Sequence, residues 1–386
     1  MITYMFYKVI IDSITFGLFK AFLALFMILG FFLFFNHKSI YQSDFILLVE
    51  FICFSFFIIF RGLELQSVYL KRAIYEYIMY MMLIFAGAYV ARSINTIEIY
   101  DKVVYIGILL PITSLVDILL NQAVSSYRTT GLARSEMAQG MLLGIFCIIL
   151  FYYYYKKRSK NYLLIMLLDL LALITTGSRG PLVATVVSLF FVYVYFQYTN
   201  NNTAGIIRVF FIVLFLMILL VWFFSTTITT GNQQVDYMIL RLQNIIEWGS
   251  DAGNAGRLAQ WERWLNVFKK NLLFGIGPSR TGSWNTMVTL GVTESGHIRH
   301  LVELGLIGSL FYYLPLLLCL KKGIRGLFSK NNDCDKGMIV LHVAIILCVI
   351  IEDFVLQITE EITVAFFLWW SLGIIYGLSS RDHYRV

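Results

Sequence analysis

The chain has 386 residues, of which 59% are apolar and 14% are charged, and its mean hydropathy is +0.76. Soluble domains carry about 25% charged residues, so this composition excludes a soluble globule, and 33 Phe and 24 Tyr exclude a disordered chain. The net charge of +7 does not indicate nucleic-acid binding, because the Lys and Arg residues lie in short loops. Unbroken apolar runs, rather than the alternating segments of a β-barrel, predict an all-α polytopic membrane protein.

Hydropathy predicts about eleven or twelve membrane-spanning helices. The eleven that can be placed lie near residues 15–36, 44–60, 73–91, 103–120, 138–155, 161–176, 181–198, 206–225, 301–320, 338–356 and 362–379. Lys and Arg concentrate in one set of alternating loops, including KKRSK at 156–160, the loop 321–337 and the C-terminus. The positive-inside rule therefore places these loops in the cytoplasm and residues 226–300 outside. An odd number of spans places the N-terminus outside too. No signal-peptide cleavage site is evident in the first run.

We interpret residues 1–386 as a single transmembrane domain interrupted by one large external loop, residues 226–300. Inside this loop, apolar side chains recur at helical spacing, at Leu258, Trp261, Leu265, Phe268 and Leu272. This pattern predicts an amphipathic helix at the membrane interface, and residues 235–248 show a weaker form of it. GNAG at 253–256 is expected to be a turn before the helix, and FGIGPSRTGS at 274–283 a glycine-rich loop after it. Long insertions are more often functional than not, although a solvated lid stays an alternative.

Neither the five Cys nor the five His residues show the spacing of a disulfide framework or a metal site. The chain also lacks the glycine motifs of ATP-binding and dinucleotide-binding proteins. We therefore expect no metal and no cofactor.

Several arginines fall on the outer side, where the positive-inside rule disfavours them: Arg128, Arg134, Arg179, Arg257 and Arg280. Arg179 lies in a very short connection between two spans, where an arginine is costly unless it is paired or hydrated. Guanidinium groups bind phosphate bidentately, so this set would suit an anionic lipid headgroup, above all a diphosphate. The alternative is interfacial snorkelling or ion pairing, with Asp117, Asp169, Glu352 and Asp353 as possible partners.

A carboxylate accompanies these arginines in TESGHIRHLVELGLIG at 293–308. Glu294 precedes the span 301–320 and could take a proton from a hydroxyl nucleophile. His297 and His300 are alternative bases, and Arg299 is a further candidate for substrate binding. The alternative for Glu294 is an acid that stabilises the helix N-terminus, where Thr293 and Ser295 fit an N-cap equally well.

The order and spacing of five motifs resemble the O-antigen polymerase and ligase superfamily of bacterial polysaccharide assembly, the Wzy and WaaL proteins. The motifs are RTTG at 128–131, SRG at 178–180, GR at 256–257 with Trp264, LFGIGP at 273–278 and ESGHIRHLVELGLIG at 294–308. The large loop also precedes the last three spans, as in that family. The resemblance covers residues 125–310.

Ligases of this superfamily resemble one another in a His-Asn pair followed, after nine residues, by Gly-x-x-Gly. Here Gly305 and Gly308 are the glycines, and Glu294 and Ser295 stand where a ligase has His-Asn. This departure favours a polymerase over a lipid A core ligase. His297, three residues displaced from the ligase position, could substitute as the base.

The resemblance implies a GT-C-like glycosyltransferase at the outer face of the bacterial cytoplasmic membrane. Its donor and acceptor would be undecaprenyl-diphosphate-linked oligosaccharides, and its product an O-antigen, capsule or exopolysaccharide. Glu294 would be the base, and Arg179 and Arg257 would stabilise the leaving diphosphate without a metal, with inversion at the anomeric carbon. Further substrate contacts are expected at Arg128, Arg134, Arg280, His297, Arg299 and His300. The family also implies membrane lipids and a Wzz-like chain-length regulator as partners.

Three other functions stay open. The closest is an O-antigen ligase, which uses the same donor and a different acceptor. A flippase for lipid-linked oligosaccharides would be a transporter, a class that shows internal repeats and polar residues in mid-membrane; no repeat is evident here. A structural membrane subunit whose arginines only bind lipids is the third.

Overall fold

The computed structural model describes residues 22–36, 42–93, 96–120, 135–202, 252–283, 287–328 and 333–380, with isolated positions between 129 and 236. Within these ranges the regular structure is helical, and seven helices are long and apolar enough to cross a membrane. The described helices are α1 (Phe22–Phe35), α2 (Gln42–Leu63), α3 (Ser67–Ser93), α4 (Thr96–Val103), α5 (Ile106–Leu120), α6 (Glu136–Lys157), α7 (Lys160–Thr175), α8 (Arg179–Thr199), α9 (Ala252–Lys270), α10 (Gly296–Phe328), α11 (Asp333–Val355) and α12 (Ile362–Leu378). The protein is therefore a polytopic membrane protein.

Seven predicted spans are confirmed as helices of sufficient length, with α4 and α5 together supplying the one near 103–120. The first and last spans correspond to the shorter apolar helices α1 and α12. The span near 161–176 is the 16-residue helix α7. The span near 206–225 and the weak amphipathic pattern at 235–248 lie outside the described residues, apart from isolated positions.

Helices α3 and α12 are packed against each other through small residues. A Cβ atom on Gly373 would collide with the carbonyl oxygen of Ile84, and one on Gly377 would meet the carbonyl oxygen of Ala88. Gly373 and Gly377 are four residues apart and share one face of α12, which lets the two backbones approach as small residues do in membrane helices. Both helices contribute many residues to the buried core.

Polar groups gather at the two ends of the bundle. Where α2, α3, α10 and α12 meet, Arg92 donates two hydrogen bonds to the buried Asp44, at 2.8 and 2.9 Å, and Lys322 contacts Ser43. We call this end, which also carries the α6–α7 turn with its Lys and Arg residues, the basic end. The opposite end, where α6, α8 and α10 begin and α11 stops, is called the site end.

Helix α10 is broken at Gly305. Its 33 residues would extend about 50 Å as one straight helix, more than the roughly 30 Å of a bilayer core. Gly305 has φ 66° and ψ −170°, which is accessible to glycine alone at low cost.

The loop after α9 satisfies the backbone groups that this break exposes. The amides of Leu306 and Ile307 donate to the carbonyls of Leu272 and Leu273, at 2.9 and 3.1 Å. In return, the amides of Ile276 and Gly277 donate to the carbonyls of Val302 and Glu303, at 2.9 and 3.0 Å. The LFGIGP motif and the broken part of α10 thus satisfy each other's backbone hydrogen bonds, as buried backbone in a membrane protein requires.

The helix predicted within residues 226–300 is present as α9, while its position at a membrane interface stays a prediction. Three of its predicted apolar positions, Leu258, Leu265 and Leu272, lie on or just after the helix and are exposed, as expected for a helix that meets a membrane interface. The prediction of a turn at 253–256 was wrong, because these residues already belong to α9. Extending a helix that is already nucleated costs little even for Gly and Asn.

Candidate functional site

A small polar pocket lies at the site end, between α6, α8, α9 and α11. Its cavity volume is about 40 Å³. The residues that line it are Met137, Gly177, Ser178, Arg179, Gly180, Pro181, Arg257, Glu352, Val355 and Leu356. Two of the predicted catalytic residues, Arg179 and Arg257, thus line the same pocket although they are far apart in sequence.

Arg179 is the first residue of α8. Ser178 is its N-cap and makes no side-chain cap hydrogen bond, while Thr176 accepts a hydrogen bond from the amide of Ser178 at 3.2 Å. The first turn of a helix leaves amides without partners inside the helix, and its dipole is positive there. Pro181 removes one of these amides and fits the helical φ. The pocket therefore combines two guanidinium groups with the positive end of a 21-residue helix.

Arg257 reaches Glu294 across the pocket's edge. The Nε atom of Arg257 lies 3.5 Å from the Oε2 atom of Glu294, and the two side chains are 27% and 31% exposed. Glu294 has φ 56°, a left-handed conformation that is uncommon for a residue other than glycine and often marks functional sites. Arg179 and Arg257 therefore line one pocket, and Glu294, the third predicted catalytic residue, contacts Arg257 at its edge.

Two tryptophans of α9 hold the segment that carries Glu294. The indole of Trp261 donates to the carbonyl of Glu294 at 3.0 Å, and the indole of Trp264 donates to the carbonyl of Val292 at 2.9 Å. Trp261 lies one helical turn after Arg257, so both side chains leave the same face of α9. The amphipathic helix thus sets the position of the carboxylate as well as that of the arginine.

Ser295 caps the helix that follows Glu294. Its hydroxyl accepts a hydrogen bond from the amide of Ile298 at 3.5 Å, while Thr293 donates to the side chain of Gln357 at 2.8 Å. The N-cap role considered for Thr293 or Ser295 therefore goes to Ser295. Glu294 stands before the cap, with its side chain turned to Arg257.

Of the four carboxylates considered as arginine partners, Glu352 is the one that lines the pocket. Asp117 accepts a hydrogen bond from the amide of Gly131 at 3.2 Å, and Asp353 accepts from the amide and hydroxyl of Thr359 at 3.2 and 3.0 Å. Asp169 is buried in α7. Glu352 is 2% exposed and interacts electrostatically with Arg257. Sequence reasoning named it only as a possible ion-pair partner.

The structure places other predicted substrate contacts away from the pocket lining. Arg280 donates to the carbonyl of Ile276 at 3.2 Å, inside the glycine-rich loop. His297 bonds to the hydroxyl of Tyr313 at 2.6 Å, and His300 is 3% exposed with its ring 3.9 Å from that of Tyr312. Arg128 and Arg134 lie outside the described residues.

Arg299 belongs to a buried network. It is 2% exposed, and its guanidinium lies 2.5 Å from Glu76 and 3.4 Å from Glu303. Arg72 forms a further ion pair with Glu76. A buried arginine with two carboxylate partners supports structure, whereas the sequence had suggested a substrate contact.

Glu303 is the centre of this network and was missed by sequence reasoning. Its carboxylate accepts hydrogen bonds from the amides of Ser279 and Thr281, at 2.8 and 2.7 Å, and from the hydroxyl of Tyr77 at 2.6 Å. It therefore fastens the glycine-rich loop to α10. Its spacing of four residues from Arg299 could have predicted that pair. The contacts with Tyr77 had no such signal, because Tyr77 lies in a π-helical segment, Ile74–Met79, far earlier in the chain.

Comparison with known proteins gives one family. Residues 163–313 match the O-antigen ligase family, Wzy_C, and no curated protein matches the chain. The matched segment contains Arg179, Arg257, Glu294 and the glycine break of α10. It supports a ligase- or polymerase-type role in polysaccharide assembly. The match thereby confirms, over residues 163–313, the resemblance of this chain to the O-antigen polymerase and ligase superfamily.

Proposed function

We propose that the protein is a polysaccharide polymerase acting at the outer face of the bacterial cytoplasmic membrane. It transfers a growing undecaprenyl-diphosphate-linked glycan onto an incoming lipid-linked repeat unit. The observation that carries this proposal is the meeting of Arg179 and Arg257 in one pocket, with Glu294 3.5 Å from Arg257. Cations for a leaving diphosphate and a base for a hydroxyl are the two groups that this reaction needs.

In the proposed mechanism the donor's diphosphate binds between Arg179, Arg257 and the N-terminus of α8. The acceptor hydroxyl attacks the anomeric carbon of the donor glycan and gives its proton to Glu294. The bond between that carbon and the phosphate oxygen breaks, and its electron pair leaves with undecaprenyl diphosphate. The guanidinium groups stabilise the negative charge that develops on the leaving group. A single in-line attack inverts the anomeric centre.

The geometry favours Glu294 over His297 as the base. Both ring nitrogens of His297 already have partners, the Tyr313 hydroxyl at 2.6 Å and the Ile350 carbonyl at 3.4 Å. Glu294 is partly exposed and next to Arg257. Because Glu294 and Ser295 replace the His-Asn pair of the ligases, we favour the polymerase and keep the ligase as the alternative.

Arg128, the first residue of RTTG, and Arg134, which follows that motif, remain proposed substrate contacts. Arg280 and His300 are proposed to act from the loop and helix that surround the pocket. For Arg299 we propose a supporting role, since its guanidinium is held by Glu76 and Glu303. The Wzz-like chain-length regulator remains a proposed partner.

The sidedness of the site follows from the positive-inside rule. The basic end carries Lys156, Lys157 and Arg158 at the turn after α6, and the pocket lies at the opposite end of the same helix. A cytoplasmic basic end therefore puts the pocket outside.

Reconstitution into liposomes with a lipid-linked repeat unit tests the proposal. A ladder of lengthening glycans supports the polymerase. Transfer to a different acceptor alone indicates the ligase, and movement of the lipid across the bilayer without product indicates a flippase. Arg179→Ala, Arg257→Ala and Glu294→Gln should each lower turnover by about 100-fold or more, as loss of a transition-state contact does. Lys269→Ala, an exposed change at the end of α9, is the matched control and should retain activity.

A further inference from the structure

Two acidic residues accompany the two arginines of the pocket. Counting the described residues alone, Arg179 and Arg257 bring two positive charges, and Glu294 and Glu352 bring two carboxylates. Glu294 pairs with Arg257 at the pocket's edge and has a proposed role as the base. Glu352 has none so far, although it is the more deeply buried of the two.

The carboxylate of Glu352 lies over the first turn of α8. A Cβ atom added to Gly180 would collide with all three atoms of that carboxyl group. Gly180 is the second residue of α8, so the carboxylate lies next to the helix terminus that attracts anions. It therefore occupies the place where a phosphate of the proposed substrate would bind.

In the described part of the chain, one oxygen of the Glu352 carboxylate has no hydrogen bond to hold it there. Its Oε2 atom is buried and has no hydrogen-bond partner among the described residues. It also lies in the last turn of α11, where the helix dipole disfavours negative charge. Its neighbour Asp353, in contrast, is used structurally, because it accepts two hydrogen bonds from Thr359. The charged group that attracts Glu352 is Arg257.

The size of the pocket leads to the same conclusion. A volume of about 40 Å³ has room for a few water molecules, which is too little for a diphosphate group. A diphosphate bound between Arg179 and Arg257 would therefore compete with the Glu352 carboxylate for this space.

We propose that Glu352 is the resident anion of the diphosphate site, a carboxylate that neutralises the arginines between turnovers and that the incoming lipid diphosphate displaces. This inference rests on the proposed function of the pocket. It gives Glu352 two effects. A single phosphate gains too few contacts to displace it, so the site selects diphosphates, and the returning carboxylate speeds the release of the undecaprenyl diphosphate product.

The test compares two charge-matched variants in detergent, with farnesyl diphosphate and inorganic phosphate as probes in titration calorimetry. Glu352→Gln removes the competing charge, so it should bind farnesyl diphosphate about tenfold more tightly than the wild type and gain measurable affinity for phosphate. Glu262→Gln removes the same charge from an exposed position of α9 and should stay within about twofold of the wild type. Unchanged or weaker binding in a folded Glu352→Gln protein overturns the inference.

A second neutral variant and a turnover assay complete the design. Glu352→Met is apolar, suits a buried position and must show the same gain in affinity; a gain in neither variant overturns the proposal. In the liposome assay, product inhibition by undecaprenyl diphosphate should become stronger in both variants. If the wild type does not bind farnesyl diphosphate, or binds it independently of Arg179, the proposed function fails. If binding depends on Arg179 but is indifferent to Glu352, only the resident-anion inference fails.

Discussion

Trp261 donates a hydrogen bond from its indole to the backbone carbonyl of Glu294, at 3.0 Å. The bond joins helix α9 to the segment that bears the proposed base. Arg257, one turn earlier on α9, faces the carboxylate of the same residue. Helix α9 thus positions both charged groups of the site.

Replacing Trp261 by Phe should impair catalysis more than stability. The change keeps the ring and removes one hydrogen bond, which costs about 1 kcal/mol of stability, but it frees the backbone of Glu294. We expect turnover of lipid-linked repeat units to fall about tenfold with little change in KM, since a small displacement of a catalytic group is costly. Trp264→Phe is the control: it removes a similar bond to Val292 and should leave turnover closer to normal. Equal turnover losses in both variants would contradict this role.

Neutralising Glu303 should destabilise the fold severely. Its carboxylate accepts four short hydrogen bonds and faces the buried Arg299, which Glu303→Gln would leave with one carboxylate partner fewer. Breaking a buried ion pair from one side costs about 3–5 kcal/mol. Thermal unfolding in detergent measures the loss. Glu64→Gln, which affects a half-exposed pair with Arg61, should cost less than about 1 kcal/mol, and a comparable effect at both positions would refute the difference.

Gly305→Ala should prevent normal assembly. The φ of 66° is unfavourable for alanine, and its Cβ would collide with the carbonyl of Leu273 and the amide of Gly275. The protein should accumulate at a much lower level in the membrane and be cleaved rapidly by added protease. Gly256→Ala is the matched control, because a Cβ there meets nothing within 4 Å and the site is helical. Its stability should stay the same or rise by up to about 1 kcal/mol. Normal accumulation of the Gly305 variant would disprove the break as described.

The effects of substitutions at Gly180 and Glu352 on the stability of the protein should be strongly coupled. Gly180→Ala places a methyl group where the Glu352 carboxyl lies, so the single variant should lose stability. Adding Glu352→Ala removes the collision and should restore most of that loss, which a double-mutant cycle of unfolding midpoints would detect. Additive effects would show that the two residues do not touch.

The spans and the arginine pocket could be predicted from the sequence for different reasons. Each span needs a run of apolar residues, so hydropathy located the described spans, although α10 extends from Gly296 to Phe328, beyond the predicted 301–320 at both ends. Arg179 and Arg257 were recognisable because arginines on the side that the positive-inside rule predicts to be outside need a compensating partner.

Other parts of the site depend on contacts that no local pattern records. Glu352 ends an apolar span and looked like one of four equivalent acids, since only packing of α11 on α8 puts its carboxylate beside Gly180. Arg299 stands among the motif residues, yet its partner Glu76 lies 223 residues earlier in the chain. The glycines of LFGIGP were readable as a loop, but their pairing with the break in α10 was not.

The separation between Glu76 and Arg299 also has a consequence for biogenesis. Helix α3 is synthesised and inserted long before α10 leaves the ribosome. Until then Glu76 lacks its partner Arg299, and Arg72 is its nearby counter-charge. The polar beginning of α10 then finds its buried environment only by docking on helices already in place. Chains truncated before Arg299 should therefore be retained by membrane insertases and removed by quality-control proteases. Stable folding of the first helices thus depends on a segment in the last third of the sequence.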